Sequence, residues 1–320
     1  MSKIEGQIKQ QNMRRFVIQY NQDELDSISP DNIHDWGEYV PIGKEMERLE
    51  ARINKGTTPY IIYGVKGTGK TLMIHRVAKK LGFGLVEVIC GDNVKERHLF
   101  GSPQIDLNGS YWNAGKIAVA FKALKIYKKV ILFFDDITNL PPEIQLQLLS
   151  LCDKRKSIQI AGQTFHVEDD ETLMIIATAN PNVYAGVNPL TQALLSRFIG
   201  EVSPNPKADE IKKILDWGEI PLETVIDPLL TLTANTHDLV EQDDIEYELS
   251  PRDLDQFIEM YKDNETKYET TPIGSDEGIE WKENLISCIQ TCILVKYCGD
   301  PTEYEAMRIR CEETFGVNIR

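Results

Sequence analysis

GVKGTGKT, running Gly64-Val65-Lys66-Gly67-Thr68-Gly69-Lys70-Thr71, stands directly after the apolar run Tyr60-Ile61-Ile62-Tyr63 and directly before Leu72-Met73-Ile74-His75-Arg76-Val77-Ala78. This is a glycine-rich turn between a buried strand and an amphipathic helix, the setting a phosphate loop requires. Gly64, Gly67 and Gly69 let the backbone fold tightly, so that consecutive N–H groups can point at phosphate oxygens. The helix that follows brings its positive dipole end to the same place. Lys70 is placed to reach β- and γ-phosphates, and the Thr71 hydroxyl to ligate Mg²⁺. Gly64 to Leu72 is therefore the expected nucleotide-binding stretch. A plain turn is the alternative, and the strand–loop–helix setting argues against it.

At 320 residues the chain has room for one large domain or two ordinary ones. Its 42% apolar and 27% charged content is that of a soluble globular protein. No apolar run approaches a membrane span, and the N-terminus MSKIEGQIKQQNMRRF lacks a signal peptide's apolar stretch. Six cysteines without regular spacing suggest reduced thiols, and together these features predict a cytoplasmic protein with no membrane insertion. The net charge of −15 is uneven: residues 201–320 hold 28 acidic and 11 basic residues, leaving 22 acidic and 24 basic in 1–200. An acidic C-terminal surface is poorly suited to gripping phosphate backbones, although a merely solvated face gives the same balance.

Residues 1–36 look like a polar N-terminal extension, with a short strand around Arg14 to Ile18. Ile42, Met46, Leu49 and Ile53 have helical spacing between Pro41 and Gly56. Strands are then expected at 60–63, 85–89, 130–134, 173–178 and 198–202, separated by helices near 70–81, 114–127, 141–152 and 188–196. Such alternation means a parallel sheet covered on both faces. Hairpins are expected at 104–112, around Asn108-Gly109, and at 157–167, around Ala161-Gly162. Beyond Pro204 only helical patterns follow, near 207–217, 221–235, 250–262, 279–297 and 302–315. The domain reading is thus extension 1–36, α/β core 37–203 and helical domain 204–320.

Val130-Ile131-Leu132-Phe133-Phe134-Asp135-Asp136 is a buried strand that delivers two acids at its C-terminal edge, where open α/β sheets bind ligands. Asp135 is the expected Mg²⁺ partner and Asp136 the base or positioner for attacking water. Asn180 ends a second apolar strand beside the same edge, where its amide can orient that water. Arg197 closes a helix, where an arginine commonly just complements the dipole. Arg252 lies in Ser250-Pro251-Arg252-Asp253, a helix start. A cation there opposes the dipole, and a fixed anion partner would account for it.

The order GVKGTGKT, ILFFDD, ATANP, LLSRF, SPRD resembles the MoxR-like, dynein-related branch of AAA+ ATPases, which includes the ATPase subunits of magnesium and cobalt chelatases. His98-Leu99-Phe100-Gly101, Trp112-Asn113-Ala114-Gly115 and Pro141-Pro142-Glu143-Ile144 add to the likeness, which covers about residues 40–260. It implies a core with a five-stranded parallel sheet sandwiched by helices, followed by a smaller all-α lid. It also implies ATP and Mg²⁺ as ligands, Asn180 as sensor 1, Arg197 as an arginine finger acting on a neighbour's nucleotide, and Arg252 as sensor 2. The hairpins become insertions of this branch, and the protein a homo-oligomeric ring, usually hexameric. One departure stands out: the branch usually has Asp-Glu where this chain has Asp135-Asp136, so the base must reach about 1.5 Å further.

Three functions follow from these residues. The first is an ATP-driven machine that remodels or activates a protein client, one bearing a von Willebrand A domain being a family example. A nucleic-acid translocating motor is less favoured, since no Lys or Arg lies in the hairpin strands and turns and no basic stripe is present. An ATP-gated assembly scaffold with slow hydrolysis is what the short Asp136 would permit. Arg155 reads as a solvated loop charge, with an additional trans-acting cation as its sharper alternative. Cys288, Cys292, Cys298 and Cys311 raise a zinc idea, but their spacing fits no common site and their neighbours read as helix core. Tyr111, Trp112 and Phe165 suit hairpin packing better than contact with a client in a ring pore. His75, His98 and His166 form no ligand set.

Overall fold

Val130 to Phe134 is apolar at every position, and strand geometry sends alternate side chains to opposite faces. Val130, Leu132 and Phe134 enter one buried cluster, and Ile131 and Phe133 enter another. A strand of this kind needs cover on both sides. The computed structural model, which describes residues 16–34, 39–56, 58–91, 93–107, 109–180, 189–203, 205–242, 244–268 and 277–319, supplies it. The chain divides into two compact units, Met1–Gly64 with Lys70–Ser203, and Val65–Gly69 with Pro204–Arg320.

In the first unit the strands, in chain order, are β1 (Ile18–Gln19), β2 (Tyr60–Tyr63), β3 (Gly84–Ile89), β4 (Gly101–Asp106), β5 (Gly109–Ala114), β6 (Lys129–Asp135), β7 (Ile158–Ile160), β8 (Gln163–Phe165), β9 (Thr172–Ala179) and β10 (Ile199–Val202). The main sheet has the order β10-β2-β9-β6-β3, with every neighbouring pair parallel. Leu49 and Ile53 of the helix Glu45–Lys55, and Met73, Ile74, Val77 and Ala78 of Lys70–Leu81, cover one face. The helix Lys116–Tyr127, with Ile144, Leu148 and Leu151, covers the other. The five expected strands all form, and the fold is an α/β sandwich around a five-stranded parallel sheet.

Both expected hairpins are present, β4 with β5 and β7 with β8, each antiparallel. The turn of the second uses Ala161 and Gly162, both at positive φ (51° and 75°), which matches the twist of a two-residue hairpin. The first hairpin leaves the core between Gly101 and Gly115. A Cβ on Gly101 would lie 2.2 Å from the Asn113 carbonyl oxygen, and one on Gly115 2.4 Å from the Gly101 nitrogen. Trp112 is a base residue of this hairpin: its Nε1 donates to the Phe100 carbonyl (2.9 Å), and its ring lies 5.7 Å from that of Phe16. Phe165 packs on Phe121 at 5.6 Å. β1 adds to β5 in parallel at Ile18–Gln19, sharing only Ile18 with the strand expected around Arg14 to Ile18, of which Arg14 and Arg15 lie outside the described residues.

In the second unit the helices are Ala208–Ile214, Asp227–Glu241, Pro251–Tyr268, Glu277–Cys288 and Pro301–Phe315, and their apolar residues form one buried cluster. Cys288, Cys292 and Cys311 are buried in that packing, and Cys298 is exposed. Among the described residues no helix is long and apolar enough to cross a membrane.

Several boundaries differ from expectation. The helix expected from about residue 40 begins only at Glu45, because the buried Glu45 carboxylate accepts the Ile42 and Gly43 N–H groups (2.7 and 2.8 Å) and folds that stretch into a turn. The helix at 141–152 is split at Leu148, and the one at 188–196 is the single turn Gln192–Leu195, with 188 outside the described residues. A π turn, Leu222–Ile226, opens the next helix. The pattern at 279–297 leaves the α-helix at Cys288 for a π turn and then a 3₁₀ turn. Periodicity reports a buried face without distinguishing these tighter or wider turns.

Candidate functional site

Gly67 and Gly69 have φ of +77° and +79°, the left-handed region that a side chain resists. They turn the loop between β2 and the helix Lys70–Leu81. Gly64 N donates to the Ala179 carbonyl (3.1 Å), and the Thr68 hydroxyl to Val65 O (3.0 Å). Lys66 is exposed, whereas Gly64 and Thr68 are buried and Val65, Thr71 and Leu72 half-buried. In the second unit a Cβ on Gly67 would lie 2.9 Å from Ser250 Oγ and 3.1 Å from Arg252 Cβ, so only glycine fits there.

Lys70, 7% exposed, donates to the Gly64 carbonyl (2.8 Å) and to Asn180 Oδ1 (3.3 Å). The Thr71 hydroxyl donates to Asp135, 3.1 Å from Oδ2 and 3.3 Å from Oδ1. Asp135 and Asp136 sit where β6 ends, and β9 beside it ends one residue before Asn180. Asn180 Nδ2 donates to Asp136 Oδ1 (2.9 Å). Asp136 has φ 55° and ψ 54°, a conformation aspartate tolerates better than most residues. Lys70, Thr71, Asp135, Asp136 and Asn180, spread over 111 positions of sequence, thus converge on one edge of the sheet.

Thr178 completes this cluster, and the sequence reading passed over it. Its hydroxyl donates to Asp135 Oδ1 (2.6 Å) and accepts from the Asp136 N–H (2.9 Å), and it is wholly buried. One signal was available. Thr178 is the only polar residue in Ile175-Ile176-Ala177-Thr178-Ala179, two positions from Asn180 and so on the same strand face.

The two arginines are placed differently. Arg252 is exposed in the first turn of Pro251–Tyr268. Arg197 is half-buried; its guanidinium donates to the Ala193 carbonyl, while its Nε is buried without a hydrogen-bond partner. No direct contact joins it to Lys70, Asp136 or Asn180 among the described contacts. Its neighbourhood includes Asp153, whose carboxyl is held below the usual carboxylate range by a hydrogen-bonded Arg155, with Arg197 adding to the effect. Arg155 Nη2 lies 2.6 Å from Asp153 Oδ2.

A glycine loop opening a helix beneath the carboxyl ends of parallel strands defines the P-loop class of nucleotide-binding proteins, to which this chain belongs. Residues 59–198 match the AAA domain of the dynein-related subfamily. Those residues carry an AAA domain of the dynein-related kind. Denitrification regulatory protein NirQ of Pseudomonas aeruginosa is 25% identical over 217 residues, 67% of this chain and 80% of its own length. CbbQ of Hydrogenophilus thermoluteolus is 24% identical over 160 residues, covering 50% and 58%. Midasin of Giardia intestinalis is 28% identical over 230 residues, 69% of this chain but 4% of its own.

The donor set at Thr71 and Asp135 suits Mg²⁺. A hydroxyl and a carboxylate, both hard oxygen ligands, already lie 3.1 Å apart beside the loop.

Proposed function

We propose that the protein hydrolyses ATP as part of a homo-oligomeric, six-membered ring and uses the energy to remodel or activate a protein partner. The observation that carries this reading is the hydrogen-bonded set Lys70–Asn180–Asp136 and Thr71–Asp135–Thr178 at the carboxyl edge of the sheet. The backbone of Gly64 to Leu72 would cradle the phosphates, with Lys70 against the β- and γ-phosphates. Mg²⁺ held by Thr71 and Asp135 would neutralise charge on the phosphate oxygens. Asp136, its Oδ1 held by Asn180, would take the proton of the attacking water as the water oxygen bonds to the γ-phosphorus. The bond from that phosphorus to the β–γ bridging oxygen breaks and ADP leaves. Arg252 and a neighbouring protomer's Arg197 would stabilise the charge that develops.

A protein client is supported by the regulatory role in the name of NirQ, by hairpins without Lys or Arg, and by the acidic balance of residues 201–320. A partner with a von Willebrand A domain is the specific case we favour.

Single-turnover hydrolysis of the intact protein and of two Asp136 variants tests the chemistry. Asp136→Asn is expected to lose about 10²-fold or more, and Asp136→Glu to keep or exceed the native rate. Equal turnover by all three would remove Asp136 as the base. Capture with the Asp136→Asn variant and ATP is expected to retain a protein. Retention of nucleic acid alone would overturn the proposed client.

A further inference from the structure

Asp253 is 4% exposed although it follows an exposed arginine at the start of a helix. A buried carboxylate is costly unless it is paired and hydrogen-bonded, and this one is fully engaged. Its Oδ2 accepts from Ser250 N (2.8 Å) and Ser250 Oγ (2.6 Å). The Tyr247 hydroxyl lies 2.9 and 3.1 Å from its two oxygens. Lys296 Nζ stands 3.1 Å from Oδ1 and 5.9 Å from the centre of the Tyr247 ring. From the next position, the Tyr297 hydroxyl donates to the Tyr247 carbonyl (2.9 Å).

Ordinary helix capping needs only residues within four positions of one another. Lys296 and Tyr297 are some forty residues further on, in the turn Leu294–Tyr297. What they hold is the stretch that lies against the phosphate loop, since Ser250 Oγ and Arg252 Cβ crowd the place where a Gly67 Cβ would be. Lys296 also occupies the Asp253 charge. Without that cation, the adjacent carboxylate would compete with a bound phosphate for Arg252.

We propose that Asp253, Tyr247 and Lys296 form a positioning cluster through which the turn Leu294–Tyr297 fixes Arg252 at the phosphate loop and leaves its guanidinium available to the nucleotide. This rests on the reading of Arg252 as a γ-phosphate group. The cluster touches no substrate; it acts through Arg252.

The test uses the full chain, with affinities for a fluorescent ATP analogue and its ADP counterpart and a thermal melt of each variant. Lys296→Met is expected to weaken the ATP analogue about 10-fold while changing the ADP analogue little, the loss of one charge-assisted contact. Lys296→Arg should restore it, and in an Arg252→Ala background Lys296→Met should change nothing further. Should Lys296→Met melt early, Lys296→Gln, which keeps a polar group at Asp253 but not the charge, is the second variant, with the same expected selectivity. An unchanged ATP-analogue affinity in a folded Lys296→Met, or an equal loss with and without Arg252, overturns the proposal while the role of Arg252 stands. An Arg252→Ala variant that binds both analogues like the native protein removes that role, and this inference with it.

Discussion

One hydroxyl, that of Thr178, holds both acids of the site: it donates to the side chain of Asp135 and accepts from the backbone of Asp136. Thr178→Val keeps the shape but leaves the Asp136 N–H without its partner, at a cost of about 1–3 kcal/mol. We expect hydrolysis to fall roughly 10-fold or more with nucleotide binding retained, and Thr178→Ser to recover most of it, measured as kcat against KM. Lys156 makes a second case. In Asp153-Lys154-Arg155-Lys156 it reads as one more solvated charge, yet it is 8% exposed and donates to the Gly56 and Leu173 carbonyls. Burial lowers its pKa from 10.5 to about 8. Between those values the unfolded chain binds the extra proton, so stability should rise with pH across that window, and Lys156→Met should remove the rise in denaturant titrations. A charge run hides such a residue, because its partners are a helix cap a hundred positions earlier and a strand 17 positions later. The site acids were legible, since each ends an apolar strand.

At the scale of elements, the legible features were those with a strong local cause. Unbroken apolar runs gave the sheet, and Asn108-Gly109 and Ala161-Gly162 gave the hairpins. Helices of five or six residues, such as Glu96–Phe100, escaped notice because they contain too few apolar positions to set a period. The pairing of Gly101 with Gly115 was equally hidden, since it is made by chain segments crossing. Gly101 has φ +90° and no space for a Cβ. Gly101→Ala is expected to destabilise the fold by several kcal/mol, about 3 or more, and to expose Trp112, read by denaturation and by tryptophan emission. At the far end of the same hairpin Ile105 and Leu107 are 84% and 106% exposed, an apolar tip on a polar ribbon.

At the scale of the whole molecule the question is whether Arg197 serves its own site or another's. Its Nε is buried without a hydrogen-bond partner, and no described contact joins it to the cluster around Lys70. Arg197→Ala should therefore bind nucleotide normally and hydrolyse it at least about 10²-fold more slowly. Mixing it with Asp136→Asn is decisive, because one variant keeps Asp136 and the other keeps the arginine. Recovery of activity on mixing is expected, and its absence would place Arg197 outside a shared site. A single sequence could point to this arginine through its motif, but a partner's geometry is not written in one chain.

The strand order has a consequence for how the protein is made. β9, the third strand of the sheet, lies between β2 and β6 but is encoded after both, at Thr172–Ala179. While the ribosome is still short of residue 172, β2 and β6 have each lost the neighbour that should satisfy one whole row of backbone groups. The nascent chain carries the open edge of β2 while residues 64–171 are made and that of β6 while residues 136–171 are made, a state that invites pairing with other chains. The glycine loop is translated early, but the carbonyl of Ala179 that receives Gly64 N arrives only with β9. Insertion of β9 therefore joins β2 to β6 and fixes one end of the phosphate loop in the same event, leaving only β10 to add at the edge.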